Sequence, residues 1–269
     1  MKCDLCPRKC LVDRKKGEKG ICGQTENLKV ARAALHFWEE PCISGDAGSG
    51  AVFFSGCPLH CVFCQNENIA NGTVGKEISL ERLVDIFLEL QEKRANNINL
   101  VTPGHFVPQI VKALDQARKE GLTLPVVYNT SSYETVDTIK MLEGYVDIYL
   151  PDFKYMSPVL SKKYSHAPDY AEVAKAAIAE MVRQTGKAVF VNGEEDNLIL
   201  SGTIVRHLTL PGCMADSMQI LKYLHETYGD MIYISIMNQF TPLSNLEKYP
   251  ELNRRITDVE YETLVDYAI

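Results

Sequence analysis

From residue 51 onward, short apolar runs alternate with stretches in which apolar residues recur every three or four positions. That alternation is the pattern of parallel strands joined by crossover helices. Residues 51–55 predict a first strand. Ser79 is placed to cap a helix whose apolar face is Leu80, Leu83, Val84, Phe87 and Leu90. Residues 97–102 predict a second strand, and Pro108 opens a helix through Ile110, Val111, Leu114 and Ala117 that ends at Gly121. Residues 124–129 predict strand three, with a helix through Val136, Ile139 and Leu142 to Gly144. Residues 145–150 predict strand four, with a longer helix from Tyr170 through Met181 to Gly186. The runs 188–191 and 198–200 flank Asn192-Gly193 and predict an inserted hairpin. Residues 203–210 and 231–237 predict strands five and six, joined by a helix through Met218, Leu221, Leu224 and Tyr228.

The first predicted strand leads into Ser55-Gly56-Cys57-Pro58-Leu59-His60-Cys61-Val62-Phe63-Cys64. Soft thiolates select zinc, copper(I) or iron–sulfur clusters, and a cubane normally takes four protein sulfurs, so three leave one iron open. A structural zinc knuckle would want a fourth ligand and usually pairs Cys-x2-Cys units. The Cys-x3-Cys-x-aromatic-Cys spacing after a strand resembles the signature of the radical S-adenosylmethionine (SAM) superfamily. The resemblance implies a [4Fe-4S] cluster on Cys57, Cys61 and Cys64, with Phe63 beside the cofactor. It also implies SAM held by its amino and carboxylate groups on the open iron, and reductive cleavage to a 5′-deoxyadenosyl radical that abstracts hydrogen. Six β/α units after the cysteine loop match the partial (β/α)6 barrel of that superfamily, in which function gathers at the carboxyl ends of the strands.

Composition narrows the setting. The chain has 269 residues, 46% of them hydrophobic, enough for one large α/β domain with a small appendage. We expect a Cys-rich segment and linker at 1–48 and the barrel at 49–269. No apolar run reaches the roughly 18 residues of a membrane span, and Met1-Lys2-Cys3-Asp4-Leu5-Cys6 lacks an apolar signal region, so a cytoplasmic protein is expected. A formal charge of −7 argues against a broad nucleic-acid footprint. Seven of the nine cysteines fall in two tight groups, which suits metal ligation better than disulfides. The second group is Cys3, Cys6, Cys10 and Cys22. So short a segment needs a metal to fold, and zinc or a second iron–sulfur cluster would serve. Its excess of lysine and arginine suits an acidic electron donor such as a flavodoxin or ferredoxin, or simply a solvated face. Cys42 and Cys213 read as packed small hydrophobes.

The strand ends carry the remaining candidates. Where many relatives have Gly-Gly-Glu for the SAM amino group, this chain has Thr102-Pro103-Gly104, so the Thr102 hydroxyl or backbone carbonyls near Gly104 take that part; His105 is a substrate contact or a local hydrogen-bonding group. Asn129-Thr130 and Asp152-Phe153-Lys154 resemble strand ends of the pyruvate formate-lyase activating enzyme. That likeness implies a monovalent cation between Asn129, Thr130, Asp152 and the SAM carboxylate, with Lys154 nearby; the alternative is a surface ion pair. Arg206 and His207 point to opposite faces of strand five, so one of them faces the barrel and the SAM ribose or carboxylate, unless Arg206 makes a structural ion pair.

The segment from Cys3 to Cys10, the phrase Glu39-Glu40-Pro41 and the run 97–103 resemble an uncharacterised homologue group of pyruvate formate-lyase activating enzymes. The resemblance implies hydrogen abstraction from a glycine of a partner glycyl radical enzyme. Two alternatives stand beside it: radical modification of a small molecule, peptide or nucleotide, and a zinc-stapled binding protein without catalysis. Residues 65–97 contain no cysteine, so the ferredoxin insert of larger activases is absent.

Overall fold

The computed structural model describes residues 2–193, 197–244 and 246–269. Its sheet has six parallel strands, and each was legible in the hydrophobic pattern: β2 (Ser49–Phe54), β4 (Ile98–Val101), β5 (Val126–Thr130), β6 (Ile148–Pro151), β8 (Ile199–Leu208) and β9 (Tyr233–Met237). Three further strands complete it: β1 (Lys29–His36) and β3 (Lys76–Glu77) at one edge, and β7 (Val189–Phe190) against β8. The crossover helices α3 (Leu80–Glu92), α4 (Val107–Lys119), α5 (Val136–Lys140), α7 (Tyr170–Thr185) and α8 (Met214–Tyr228) follow their strands as expected. The Ser79 hydroxyl accepts the Arg82 N–H at 3.2 Å and so caps α3. This is the partial (β/α)6 barrel. Among the described residues no helix is long and apolar enough to cross a membrane.

Alternation along the strands sorts side chains into two layers. Val52, Leu100, Tyr128 and Tyr149 sit in register on neighbouring strands and pack outward against Phe87 and Leu90 of α3 and Ile110 and Leu114 of α4. Val127, Ile148, Leu150 and Ile204 point inward and form a separate core. Ile43, on the one-turn helix α1 (Pro41–Ser44), is fully buried among them. Its carbonyl accepts from Asn97 Nδ2 at 2.8 Å, just ahead of β4, so α1 closes the barrel at the end where the strands begin. Burial of such a side chain contributes about 2 kcal/mol before any cavity term.

Three features differ from the sequence expectation. The second arm of the predicted hairpin and predicted strand five are one continuous strand, β8, with β7 paired antiparallel to its start; positions 194–196 of the connection lie outside the described residues. Helices α2 (Glu67–Ala70), α6 (Pro158–Ser165) and α9 (Asp258–Ala268) are additional. Finally, β1 pairs antiparallel with β2, so the boundary expected at 48/49 falls inside one sheet. The alanines of β1 give no apolar alternation from which a strand could be read.

Candidate functional site

A cavity of about 380 Å³ opens at the carboxyl ends of the parallel strands, within the size range of small-molecule sites. Its wall includes Cys57, Cys61, Phe63 and Cys64 from the loop after β2, Thr102 after β4, Asn129 and Thr130 of β5, Asp152 and Lys154 after β6, and Arg206 of β8. The sequence-expected residues are thus brought together, with two exceptions. His207 points to the opposite face of β8, where its Nδ1 lies 2.7 Å from the Phe153 carbonyl and its Nε2 lies 2.8 Å from Ser217 Oγ. Burial pushes this imidazole down to about 4, so it is a neutral packing group rather than a cofactor contact. Gly104 also lies outside the cavity wall, because the Glu134 carboxylate is packed directly against its Cα, where a side chain would stand. His105 has the local role: its Nε2 meets the Ser55 carbonyl at 2.7 Å.

Strand periodicity explains why Arg206 is the inward member of its pair. Ile204, Arg206 and Leu208 alternate inward on β8, as Ile148, Leu150 and Asp152 do on and after β6. Arg206 Nε donates to Asp152 Oδ1 at 2.9 Å, Nη1 to Glu39 Oε2 at 3.1 Å, and Nη2 to Asn129 Oδ1 at 2.8 Å. Lys154 Nζ donates to Asp152 Oδ2 at 2.6 Å. Burial alone would push the Asp152 carboxyl up; Arg206 and Lys154 outweigh it and hold that carboxyl below its ordinary range. Burial likewise opposes the charge on Lys154, and Asp152 more than restores it, so the ammonium is held above its usual value. The Tyr170 hydroxyl, 2.8 Å from the carbonyls of both Ser131 and Asp152, ties the ends of β5 and β6 together.

Glu39 enters the sequence analysis only through the Glu39-Glu40-Pro41 likeness and is not expected there as a site residue. It sits in the connection between β1 and α1, and nothing in its local pattern marks it as buried. Its side chain is only 8% exposed and closes the network from the edge of the barrel.

The same contacts bear on the expected monovalent cation. The oxygens proposed to hold it are already engaged: Asp152 by Lys154 and Arg206, Asn129 by Arg206, and the Thr130 hydroxyl, which donates to Glu134 at 2.8 Å. Two fixed protein cations occupy the electrostatic place of the ion, so this residue set does not fit a further cation.

Thr102 has φ of 55°, a left-handed conformation that costs a β-branched residue about 1–3 kcal/mol. Its N–H donates to the Asn129 carbonyl at 2.9 Å, which fixes the bend and turns residue 102 into the cavity wall.

The three loop thiols fit an iron–sulfur cluster. Burial pushes the free Cys57 thiol up to about 12 and raises Cys61 and Cys64, so their thiolates need a metal to balance them. Two donors are already aimed at sulfur: Ser165 Oγ–H at Cys61, 3.1 Å away, and the Leu59 N–H at Cys57, 3.4 Å away. Phe63 edges against Tyr155, Tyr164 and Phe240 at 6.0–6.5 Å between centroids, an aromatic collar beneath the cysteine loop.

The N-terminal cysteines lie beside this loop. Cys6 and Cys22 are buried and Cys3 and Cys10 partly so, and burial pushes the Cys6 thiol up to about 12. Among the described residues no group of three or more His, Cys, Asp or Glu side chains is gathered tightly enough for a single metal ion, in either cysteine group. A four-iron cube holds its sulfurs further apart than one ion does.

Comparison with known proteins agrees with this geometry. An uncharacterized protein of Methanocaldococcus jannaschii, MJ0674, is 27% identical over 275 residues, covering 99% of this chain and 74% of that protein. Three solved structures share the fold at low identity. The anSMEcpe structure with bound AdoMet matches at 12% identity with a TM-score of 0.53 over 80% of this chain, and methylornithine synthase (PylB) at 13% and 0.52 over 79%. HydG, a maturase of the [FeFe]-hydrogenase, matches at 14% and 0.51 over 78%. This chain spans only 46–59% of the length of those three. Residues 51–198 match the Radical SAM superfamily, whose cofactors are a [4Fe-4S] cluster and SAM. The stretch covers more than half of the sequence and contains the cysteine loop together with the Thr102, Asn129 and Asp152 strand ends, and the chain belongs to the radical SAM superfamily.

Proposed function

We propose that this protein cleaves SAM reductively at a cluster held by Cys57, Cys61 and Cys64 and directs the resulting radical at a backbone glycine of a partner enzyme. When bound, cluster and SAM supply one-electron scission of the bond from sulfur to C5′ and a 5′-deoxyadenosyl radical. The chain's own residues bind and orient. Lys154 and Arg206 would present fixed positive charge to the SAM carboxylate, and the bent backbone at Thr102 would serve its amino group. Ser165 donates to the Cys61 sulfur, and the aromatic collar around Phe63 underlies the loop.

The observation that carries this reading is the convergence of three partly buried thiols and a charge-balanced Glu39–Arg206–Asp152–Lys154 network on one cavity. A macromolecular acceptor is supported by the strand-end likeness to the pyruvate formate-lyase activating enzyme. It is also supported by Trp38, 88% exposed and adjacent in sequence to Glu39 of the cavity wall. The test is anaerobic incubation of the reconstituted protein with SAM and dithionite. 5′-Deoxyadenosine is expected, and is lost in Cys61→Ala; its absence from the wild type overturns the reading. A glycine-centred electron paramagnetic resonance doublet on a co-encoded partner supports the activase assignment. Turnover with every such partner silent would point instead to a small molecule, peptide or nucleotide.

A further inference from the structure

The reading above leaves the four N-terminal cysteines unused, and their surroundings point to a role. We propose that Cys3, Cys6, Cys10 and Cys22 hold a second iron–sulfur cluster, which receives an electron from an acidic carrier protein and passes it to the loop of Cys57, Cys61 and Cys64. The inference rests on the radical SAM reading of that loop.

The N-terminal segment is folded around its sulfurs. Cys3 and residues 11–12 exchange backbone hydrogen bonds, Cys3 N–H to Val12 O at 2.9 Å and Leu11 N–H to Cys3 O at 3.0 Å, while Lys9 N–H closes a turn on Cys6 O at 3.0 Å. The Ile21 N–H donates to Cys10 Sγ at 3.3 Å, an amide-to-sulfur bond of the kind that stabilises a thiolate ligand. A zinc staple would gather four sulfurs around one ion at about 2.3 Å each. Among the described residues no such single-ion set is found, and it is the segment's position against the loop of Cys57 and Cys61 that favours a redox-active cluster over a staple.

Position argues for electron transfer. The two cysteine groups are joined by three direct contacts. Arg8, two residues after Cys6, donates through Nε to the carbonyl of Pro58, the residue after Cys57, at 2.9 Å. His60, the residue before Cys61, has Nε2 2.8 Å from the carbonyl of Ile21, the residue before Cys22. Gly56, with φ of 91°, lies against the Cys22 carbonyl so closely that a side chain there would collide with it. The segment is therefore a wall of the active-site loop rather than a tethered appendage.

Its outer surface fits a carrier of opposite charge. The segment exposes Lys2, Lys9, Lys15, Lys16 and Lys19 against Asp4 and Glu18, together with Leu11 and Ile21, which are 53% and 50% exposed and each adjoin a cysteine. This local excess of lysine with two exposed apolar side chains, on a chain whose net charge is −7, is complementary to an acidic flavin or iron–sulfur protein. The carrier is oxidised by one electron, the N-terminal cluster is reduced and then reoxidised by one, and the loop centre gains one; no proton moves.

Metal analysis of the anaerobically reconstituted full chain tests this directly. About eight irons per chain with matching sulfide are expected, against about four in the Cys57→Ala/Cys61→Ala/Cys64→Ala variant, which should retain a four-iron Mössbauer signature. Four irons in the wild type, alone or with one zinc, overturn the proposal even if SAM is cleaved. Eight irons without SAM cleavage would uphold the second centre and sink the catalytic reading. The entry route is tested by stopped-flow reduction of the wild type and of Lys15→Glu/Lys16→Glu/Lys19→Glu, which leaves every thiol in place. Reduced flavodoxin should reduce the variant at least about tenfold more slowly at low salt, with dithionite reduction unchanged. Equal flavodoxin rates overturn the lysine-rich segment as the entry point.

Discussion

Replacing Arg206 by Met removes the one side chain that bonds Glu39, Asp152 and Asn129 at once, and its cost follows from their burial. Glu39 is 8% and Asp152 15% exposed, so neither carboxylate recovers full hydration when its partner goes. At 3.1 Å and an effective dielectric of about 20, the Glu39–Arg206 attraction alone is about 5 kcal/mol gross, most of it offset by desolvation. Breaking a buried pair by removing one partner costs about 3–5 kcal/mol, because the stranded charge remains. We expect Arg206→Met to lose about 4 kcal/mol, Glu39→Gln about 2, and the double variant about 2 less than their sum. Anaerobic urea unfolding of the apoprotein, with unchanged m-values, measures all three. Additivity within about 0.5 kcal/mol would refute the network. The pH dependence carries a further check. The folded Asp152 carboxyl is held below its unfolded value, so its contribution is present above the ordinary carboxylate range and is lost as pH falls through the lower folded value. Without Arg206 that lowering shrinks, and with it the acid-dependent loss attributable to Asp152.

Other perturbations separate structure from chemistry. Glu134, pushed up to about 7 chiefly by burial, binds a proton in the folded state that the unfolded chain releases. Stability should therefore fall as pH rises from about 4.5 to about 7, and Glu134→Gln should flatten that slope in thermal melts; an unaltered slope removes the assignment. Ser165→Ala deletes the hydroxyl donor to Cys61 Sγ and should shift the loop cluster to a more negative potential in a redox titration followed by electron paramagnetic resonance, with iron content unchanged. Ile43→Ala opens a hole in the floor of the barrel and should cost about 2–5 kcal/mol in chemical unfolding, with cluster assembly retained; a loss under 1 kcal/mol would mean the floor collapses to fill it.

β2, β4, β5 and β6 were readable because nearly every residue in them is buried, and the crossover helices announce themselves by period and cap. Facing was harder. Arg206 and His207 are neighbours of similar chemistry, and only the inward positions of Ile204 and Leu208 decide which meets the cavity. The site role of Glu39 and the strand β1 were not legible for a different reason: both depend on contacts with distant strands, and a run such as Ala33-Ala34 carries too little apolar area to mark a strand. Helix α9 buries only Leu264, so its sequence looks like a polar tail. The cysteine loop was the most legible feature because its ligands are local, whereas the electrostatic network that replaces the expected cation is assembled from four separate segments.

An incomplete barrel has two raw margins, each able to recruit a foreign strand and begin aggregation. Here β1 lies antiparallel along the first margin and is itself flanked by the two-residue β3. On the other, the Ile236 carbonyl of β9 is taken by the Tyr261 hydroxyl at 3.0 Å and the Ser235 hydroxyl by Glu40 at 3.0 Å. A foreign strand laid along β9 would therefore find the Ile236 carbonyl already engaged, which blunts that margin at one rung of its ladder.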